Sequence, residues 1–499
     1  MSAVAGLSPE VLAKYQAVIG LEVHCQLLTK TKAFCGCKNE YGGDPNTHTC
    51  PTCLGLPGAL PVLNRQAVEF AVLASKAVDC TINGRSVFAR KNYFYPDSPK
   101  GYQISQFDKP LAEFGHIMVT GPDGAPKKIG ITRIHMEEDA GKSIHDGFAD
   151  SVRRTYIDLN RCGTPLIEIV SEPDLRSADE VFEYLTKLKE ILLYTGVSDC
   201  NMEEGSLRCD ANVSVMLKSD WEAHGAKAFG TKAEVKNVNS FRFIRSAVEY
   251  EIERQIGVIE EGGRVVQESR LWNSAEGRTY SMRSKEEAHD YRYFPEPDLP
   301  ALYVGDAWLK QILADLPELP EARRARLQNE YGLSTQDAAT LTTDRELGDF
   351  FQSAAKLAKS PKRVASILLS EITMRLRAAE IALGQSPVSL NGLVLAADLT
   401  EAGEISSKQL KQLLDACFAE GKDFGFIYDR DKPQQISDTS ALEAMIDEAI
   451  AANPAQVAQF KAGKRTVSAF FVGQVMKASK GQANPALVNE LVIKKLDEA

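Results

Sequence analysis

The chain has 499 residues, 44% of them hydrophobic and 25% charged, enough for roughly two to four domains, each with a core of its own. A net charge of −10 and a pI near 5.5 exclude indiscriminate nucleic-acid binding over the whole surface, though not a local basic patch. The chain has no apolar run of about eighteen residues, and its first residues lack the basic start and apolar stretch of a signal peptide, so a cytosolic protein without a membrane span is expected.

The first element is a strand from Val18 to Leu27. Its β-branched and aliphatic residues alternate with polar ones, which puts Glu22, His24 and Gln26 on one face and Leu21, Val23, Cys25 and Leu27 on the other. A solvated polar face is the plain reading. A carboxylate beside an imidazole can also hold a cation.

Next come Cys35 and Cys37, a turn-rich loop, and Cys50-Pro-Thr-Cys53. Two close thiol pairs across such a loop can place four sulfurs tetrahedrally, as a structural Zn²⁺ requires, with His48 as a substitute ligand. A redox Cys-x-x-Cys or four unrelated thiols are the alternatives. The other six cysteines, Cys25, Cys80, Cys162, Cys200, Cys209 and Cys417, are scattered and read as reduced packing residues.

A helix is expected over Val68 to Ala77. The segment from Arg90 to Ser105 then crowds Tyr93, Tyr95 and Tyr102 among Lys91, Asp97, Lys100 and Gln103. Aromatics mixed with cations can stack on a base and touch phosphate; a proline-pinned loop with packed tyrosines serves equally well as an explanation. In Ile134 to Asp139, His135, Glu137 and Asp139 again alternate with Met136 and Glu138. Gly141-Lys142-Ser143 lacks the earlier glycine of a phosphate-binding P-loop, since that position is Met136. Lys142 remains only a phosphate-contact candidate.

Leu166 to Val170 reads as a further strand, and Ser177 with Glu180 as a capping box opening a helix that Gly196 closes. The Gly205-Ser206 turn, a candidate phosphate contact, leads into a strand on which Arg208, Asp210, Asn212 and Ser214 share a face. A strand near Ala233 to Val238 adds Glu234 and Lys236. Acidic faces on several strands suggest one acidic pocket. A hard divalent ion held by Glu22, Glu137, Asp210 and Glu234 could bridge nucleotide phosphates, and His24 would admit Mn²⁺ beside Mg²⁺. Lys100, Lys142, Ser206, Arg208 and Lys236 are the candidate nucleotide contacts. A metal-dependent hydrolase or nuclease would use the same residue types.

Three prolines between Tyr291 and Pro300 mark the end of the strand-rich half. Beyond it the periodicity is helical, clearest over Arg345 to Leu357 and Val364 to Leu383. From Ala455 onward, seven basic residues (Lys461, Lys464, Arg465, Lys477, Lys480, Lys494, Lys495) face three acidic ones (Glu490, Asp497, Glu498), a local balance of +4. That reversal reads as a small helical module facing phosphate, or as a solvated basic face.

Long motifs also carry a resemblance. Ile-Gly-Leu-Glu-Val-His from Ile19, the Cys-Gly-Cys and Cys-Pro-Thr-Cys-Leu-Gly-Leu-Pro-Gly-Ala-Leu-Pro runs, Lys-Asn-Tyr-Phe-Tyr-Pro-Asp, His-Met-Glu-Glu-Asp-Ala-Gly-Lys, Gly-Ser-Leu-Arg-Cys-Asp-Ala-Asn-Val-Ser, the stretch from Phe229 and Val-Gly-Gln-Val-Met-Lys from Val472 resemble the B subunits of aspartyl/glutamyl-tRNA amidotransferases. The resemblance implies an α+β protein: a sheet-rich catalytic cradle over 1–295 with its zinc loop at 35–53, an all-helical domain over 296–400, and a small helical tail over 401–499 that touches tRNA through Lys464, Arg465, Lys477 and Lys480. It further implies that ATP phosphorylates the side-chain carboxylate of Glu or Asp mischarged on tRNA and that ammonia then displaces phosphate. The implied metal positions are Glu22, His24, Glu137, Asp210 and Glu234. Ser468 stands where the family's tail pattern has glycine.

This chain shows no amidase Ser-Ser-Lys set and no Cys paired with His for glutamine hydrolysis. A glutaminase A subunit and a small C subunit are therefore the expected partners. The rival from another class is a non-catalytic tRNA-binding adaptor with a structural ion.

Overall fold

The structure, a computed structural model, describes residues 7–236, 238–282, 291–431, 439–479, 483 and 485–498. The chain forms two compact units, Met1–Leu319 and Pro320–Ala499. The first is sheet-rich and the second helical, an α+β protein as expected.

The first unit is built on one nine-stranded sheet. Its strands, in chain order, are β1 (Tyr15–Gln26), β2 (Thr81–Ile82), β3 (Ala112–Thr120), β4 (Pro126–Glu138), β5 (Pro165–Ser171), β6 (Leu207–Leu217), β7 (Ala233–Lys236), β8 (Ser269–Asn273) and β9 (Arg278–Ser281). Across the sheet they run β9-β8-β7-β6-β1-β5-β4-β3-β2. Only β7 and β8 pair in parallel. The strand that opens the chain is thus the centre of the sheet, with β5 and β6 antiparallel on its two sides.

Alternation then sorts the two faces. Leu21, Val23 and Cys25 of β1, Ile134 and Met136 of β4, Ile167 and Ile169 of β5 and Cys209, Ala211 and Val213 of β6 are buried in one core. Three helices cover that face: α1 (Arg65–Ala77), α2 (Ala178–Thr195) and α3 (Phe241–Glu260), which contribute Val68 and Val72, Val181 and Leu185, and Ala247 and Val248. The caps of α2 follow the sequence in part, since Glu180 Oε2 accepts the Arg176 N–H at 2.8 Å and not the Ser177 N–H of a closed capping box. Ser177 accepts the Glu180 N–H at 3.2 Å, and Gly196 ends the helix in the left-handed region at φ 71°, where a side chain is strained. The opposite face keeps its polar residues.

The segment from Arg90 to Ser105 is two strands joined by a proline-containing loop over 93–101 that carries Tyr93 and Tyr95. Phe88–Asn92, Tyr102–Gln106 and Phe294–Pro295 form a separate three-stranded sheet. The first unit also continues past the prolines near 295, because helix Asp306–Leu313 packs back on α1, where Trp308 Nε1 donates to Glu69 at 3.0 Å. In the second unit one core runs from Leu327 to Ile427 and another from Leu442 to Leu496. The change of core therefore falls after Ile427, later than the expected 400. The helix expected over Val364 to Leu383 begins at Pro361, passes through a π turn at Leu368–Ile372, and stops at Ala379 before Glu380 at φ 53°. Among the described residues no helix is long and apolar enough to cross a membrane.

Candidate functional site

Register assembles the polar face. On β1, Glu22 lies opposite Asp210 of β6, while His24 lies opposite Arg208 on one side and Glu168 of β5 on the other. Glu168 in turn faces His135 of β4, and Leu166 faces Glu137. On β6, Asn212 faces Glu234 of β7. Side chains from five adjacent strands therefore share one surface.

Two donor sets form there, and both use Glu168. Ligand atoms of Glu22, His24 and Glu168 lie within 4.8 Å of one another, and so do those of His135, Glu137 and Glu168. Opposite ligands on a hexacoordinate Mg²⁺ stand about 4 Å apart, so small rotations would suffice to close either set on an ion. The first set is the accessible one, with 33% of the Glu22 side chain and 19% of His24 exposed and their atoms 3.3 Å apart. The second is closed: His135 Nε2 lies 3.6 Å from Glu137 and 3.5 Å from Glu168, all three buried.

The field at this surface favours positive charge. Burial works against a charged His135, yet Glu168 and Glu137 push it up to about 9. His24 is likewise raised against its burial, by Glu22, Glu168 and Glu137. Glu168, despite its burial, is held well below the carboxylate range by His135, His24 and Lys91. A cluster whose carboxylates raise the proton affinity of two imidazoles against their burial is one that attracts cations.

Not all of the expected metal residues meet at one point. Asp210 is raised by burial, partly offset by the Lys236 ammonium 3.0 Å away. Lys236 also reaches Glu234 at 2.9 Å, and Ser269 Oγ donates to the other Glu234 oxygen at 2.8 Å. Asp210 and Glu234 thus form an ammonium-centred group beside the Glu22 and His24 pair.

The expected nucleotide contacts are also divided. Lys236 and Arg208 lie on the polar face, with Arg208 bonded to Asp139 at 2.6 Å and Gln26 to the same oxygen at 2.7 Å. Lys100 is turned away from this face, because its ammonium pairs with Glu138, whose alternate position puts it on the opposite side from Glu137. Lys142 is exposed on a two-stranded sheet formed by Lys142–Ile144 and Tyr156–Asp158, not at the helix start a P-loop needs. Ser206 is fixed by backbone bonds to Asn201 and Gln26. Two groups outside the expected set are central: Glu168, and Lys91, whose Nζ lies 3.5 Å from Glu137.

The four cysteines converge separately. The sulfurs of Cys35, Cys37, Cys50 and Cys53 lie within 4.8 Å of one another, close to the separation of about 3.8 Å that tetrahedral Zn–S bonds impose. The Cys50 N–H donates to Cys53 Sγ at 3.1 Å, and buried Lys32 approaches the same sulfur at 3.9 Å while donating to the His48 carbonyl at 2.6 Å. The Cys35 hydrogen bond, the Cys50 N–H and Lys32 pull the Cys53 thiol down to about 5 against its burial. These residues fit a thiophilic ion, and the His48 ring is not needed as a ligand.

In the tail, Lys464 and Lys477 are exposed. Arg465 pairs with Asp497 and covers the Phe460 ring at 4.5 Å, while Lys495 pairs with Asp447 at 2.8 Å. Lys480 lies outside the described residues. Ser468 opens helix Ser468–Ala478.

Comparison with known proteins places this geometry. The family model described as the GatB/GatE catalytic domain matches residues 17–310, and the one described as the GatB domain matches 349–496. The B subunit of the aspartyl/glutamyl-tRNA(Asn/Gln) amidotransferase from Geotalea uraniireducens is 54% identical over 97% of this chain and 100% of its own length. The B subunits of the same enzyme from Geotalea daltonii and Geobacter sulfurreducens are 53% and 54% identical, each over 97% of this chain and 99% of its own. With matches of this length and identity, the chain belongs to the family of aspartyl/glutamyl-tRNA(Asn/Gln) amidotransferase B subunits.

Proposed function

We propose that this chain is the tRNA-dependent amidotransferase subunit that activates the side-chain carboxylate of Glu on tRNA(Gln), of Asp on tRNA(Asn), or of both, with ATP, and then lets ammonia replace the phosphate. The observation that carries this reading is the convergence of Glu22, His24 and Glu168 on an open polar face, with Glu137 and Asp210 on the adjoining strands.

The chemistry explains the need for ATP. Hydroxide and oxide leave a carboxylate poorly, whereas phosphate leaves readily from an acyl phosphate. Phosphoryl transfer asks a protein mainly for alignment and for neutralised charge. Glu22, His24 and Glu168, with Glu137 behind them, are the residues that would hold Mg²⁺, or Mn²⁺ given the imidazole. Such an ion supplies charge neutralisation on phosphate oxygens. Lys91 and Lys236, both within 3.5 Å of cluster carboxylates, lend their positive charge to the same surface. The acyl phosphate must meet ammonia before water, so ammonia delivered by a glutaminase A subunit, with a small C subunit bracing the pair, suits the reaction.

Cys35, Cys37, Cys50 and Cys53 would hold a structural Zn²⁺ that fixes the loop between β1 and α1. Lys464 and Lys477, together with Arg465 and Lys480, would meet the tRNA phosphates. This assignment puts the chain in the cytoplasm with its tRNA.

The test is ATP cleavage by the assembled complex with mischarged tRNA. Glu22→Ala abolishes tRNA-dependent cleavage, and Lys477→Ala retains it at saturating tRNA. Cleavage unchanged in Glu22→Ala would reduce the chain to a tRNA-binding adaptor.

A further inference from the structure

A network of buried charge lies under the β7–β9 end of the sheet, on the side away from the carboxylates, and has no part in the reactions above. Strand β8 enters it by alternation. Ser269 stands opposite Glu234 of β7 and Arg270 opposite Val235, so Ser269 shares the polar face while Arg270 points inward and is buried. There Arg270 Nε donates to Thr279 Oγ1 at 2.8 Å and Nη2 to the Thr279 carbonyl at 3.0 Å. Its Nη1 pairs with Glu268, and Nε lies 3.4 Å from Glu251 of α3. The Glu251 side chain, fully enclosed, also accepts from Arg254 at 2.6 Å, Gln255 at 2.9 Å and the Thr279 hydroxyl at 3.2 Å. Gln255 Nε2 donates as well to the Val213 carbonyl of β6 at 2.9 Å. One carboxylate thus ties α3 to β6, β8 and β9.

Strands β7 and β8 need such a tie. They pair in parallel over Glu234, Val235 and Lys236, so no tight turn fixes their register as it would in a hairpin. Moving β8 by one residue would carry Arg270 to the polar face and Ser269 into the core, and the bonds of the guanidinium oppose that slip. A buried ion group is better evidence for register than for stability. On the other face the register has a chemical result. Ser269 Oγ donates to Glu234 Oε2 at 2.8 Å, while Lys236 Nζ lies 2.9 Å from Glu234 Oε1 and 3.0 Å from Asp210. With each Glu234 oxygen given its own partner, the ammonium is held between the two carboxylates.

We propose that Arg270 and Ser269 are positioning residues for the activation step: Arg270, locked to Glu251 and Thr279, sets β8 against β7, and Ser269 then orients Glu234 and, through it, Lys236 beside Asp210. The inference rests on the proposed function, since it is the chemistry of the polar face that the two residues serve. Neither touches a reacting group, and both act through Glu234.

ATP cleavage by the assembled complex with mischarged tRNA tests it, with kcat, the KM for tRNA and the melting temperature measured on each variant. Ser269→Ala should lower kcat about tenfold, the cost of a lost supporting contact, with KM and melting temperature unchanged. Ser269→Thr keeps the hydroxyl and should restore the rate. Arg270→Lys keeps the charge but not the planar fork, and should lower kcat by a similar factor. Because both residues act through Glu234, the double variant should be no slower than the slower single one. If Arg270→Lys does not assemble, the two Ser269 variants carry the test. A kcat within twofold of wild type in Ser269→Ala, or a lowered melting temperature with unchanged kcat in Arg270→Lys, overturns the proposal and leaves the activation reading intact. Wild-type complex that cleaves no ATP with mischarged tRNA overturns both.

Discussion

The two donor clusters of the first unit differ in how far apart in the chain their residues lie. The four thiols come from one loop between Cys35 and Cys53, whereas the carboxylate and imidazole set draws on β1, β4 and β5, from Glu22 to Glu168. A local cluster needs only its own turns and its ion. A distributed one needs every strand in register, because a one-residue slip turns each ligand to the apolar side. Substitutions should therefore act locally at the thiols and across the whole face at the carboxylates.

Breaking the distributed cluster gives the largest expected effect. Glu168→Ala removes the carboxylate that both sets share, so tRNA-dependent ATP cleavage should fall a hundredfold or more, beyond the roughly ten- to hundredfold cost of losing an outer supporting contact. A rate within a few fold of wild type would detach Glu168 from the chemistry.

Asp139 tests the frame behind that cluster. Its carboxylate joins the end of β4 to Arg208 of β6 and Gln26 of β1. Burial alone would raise it, yet Arg208 and Arg161, with the Gln26 hydrogen bond, hold it below the ordinary 3.8. Its folded value lies below its unfolded one, so its contribution is complete above 3.8 and is lost as pH falls through the folded value. Asp139→Asn should cost about 2 kcal/mol at neutral pH by weakening the charge-assisted bond to the half-exposed Arg208, and the gap to wild type should shrink in acid. Chemical denaturation across pH measures both.

The thiol loop supplies the opposing case. If wild type carries the proposed zinc at about one per chain, Cys53→Ser should lose it and lower the melting temperature by several degrees. Mn²⁺ binding at the carboxylates should be nearly unchanged. Coupled loss of both ions would show that the two clusters are not independent.

A smaller effect is expected where Lys236 separates Asp210 from Glu234. Lys236→Met leaves those carboxylates facing each other without a counter-charge. About a tenfold loss of ATP cleavage should follow, measured at saturating tRNA so that the tail does not enter.

The same contrast decides what could be read from the sequence. Glu22, His24 and Asp210 alternate with apolar neighbours, and Glu137 with Met136 and Glu138, so period two puts each on one face of its own strand, and the strand register then joins those faces. The cysteine spacing is equally direct. Glu168 was not legible as a ligand, because it stands inside the apolar run Leu166, Ile167, Ile169 and Val170 and the strand reads as scaffold. The available signal was that a carboxylate amid buried aliphatics needs a cationic partner. Lys100 is placed apart from the other candidates for the opposite reason. Its sequence company suggested phosphate, but its partner Glu138 occupies the position after Glu137 and so faces the other side. In the tail, composition counted Arg465 and Lys495 as free positive charge, whereas folding brings Asp497 and Asp447 to them.

Anomalous scattering from crystals of the chain grown with Mn²⁺ and a non-hydrolysable ATP analogue tests the central claim most directly. The account predicts a manganese peak among Glu22, His24 and Glu168, on the polar face of β1 and β5. A peak away from that face, or triphosphate density with no ion between it and Glu22, would contradict it.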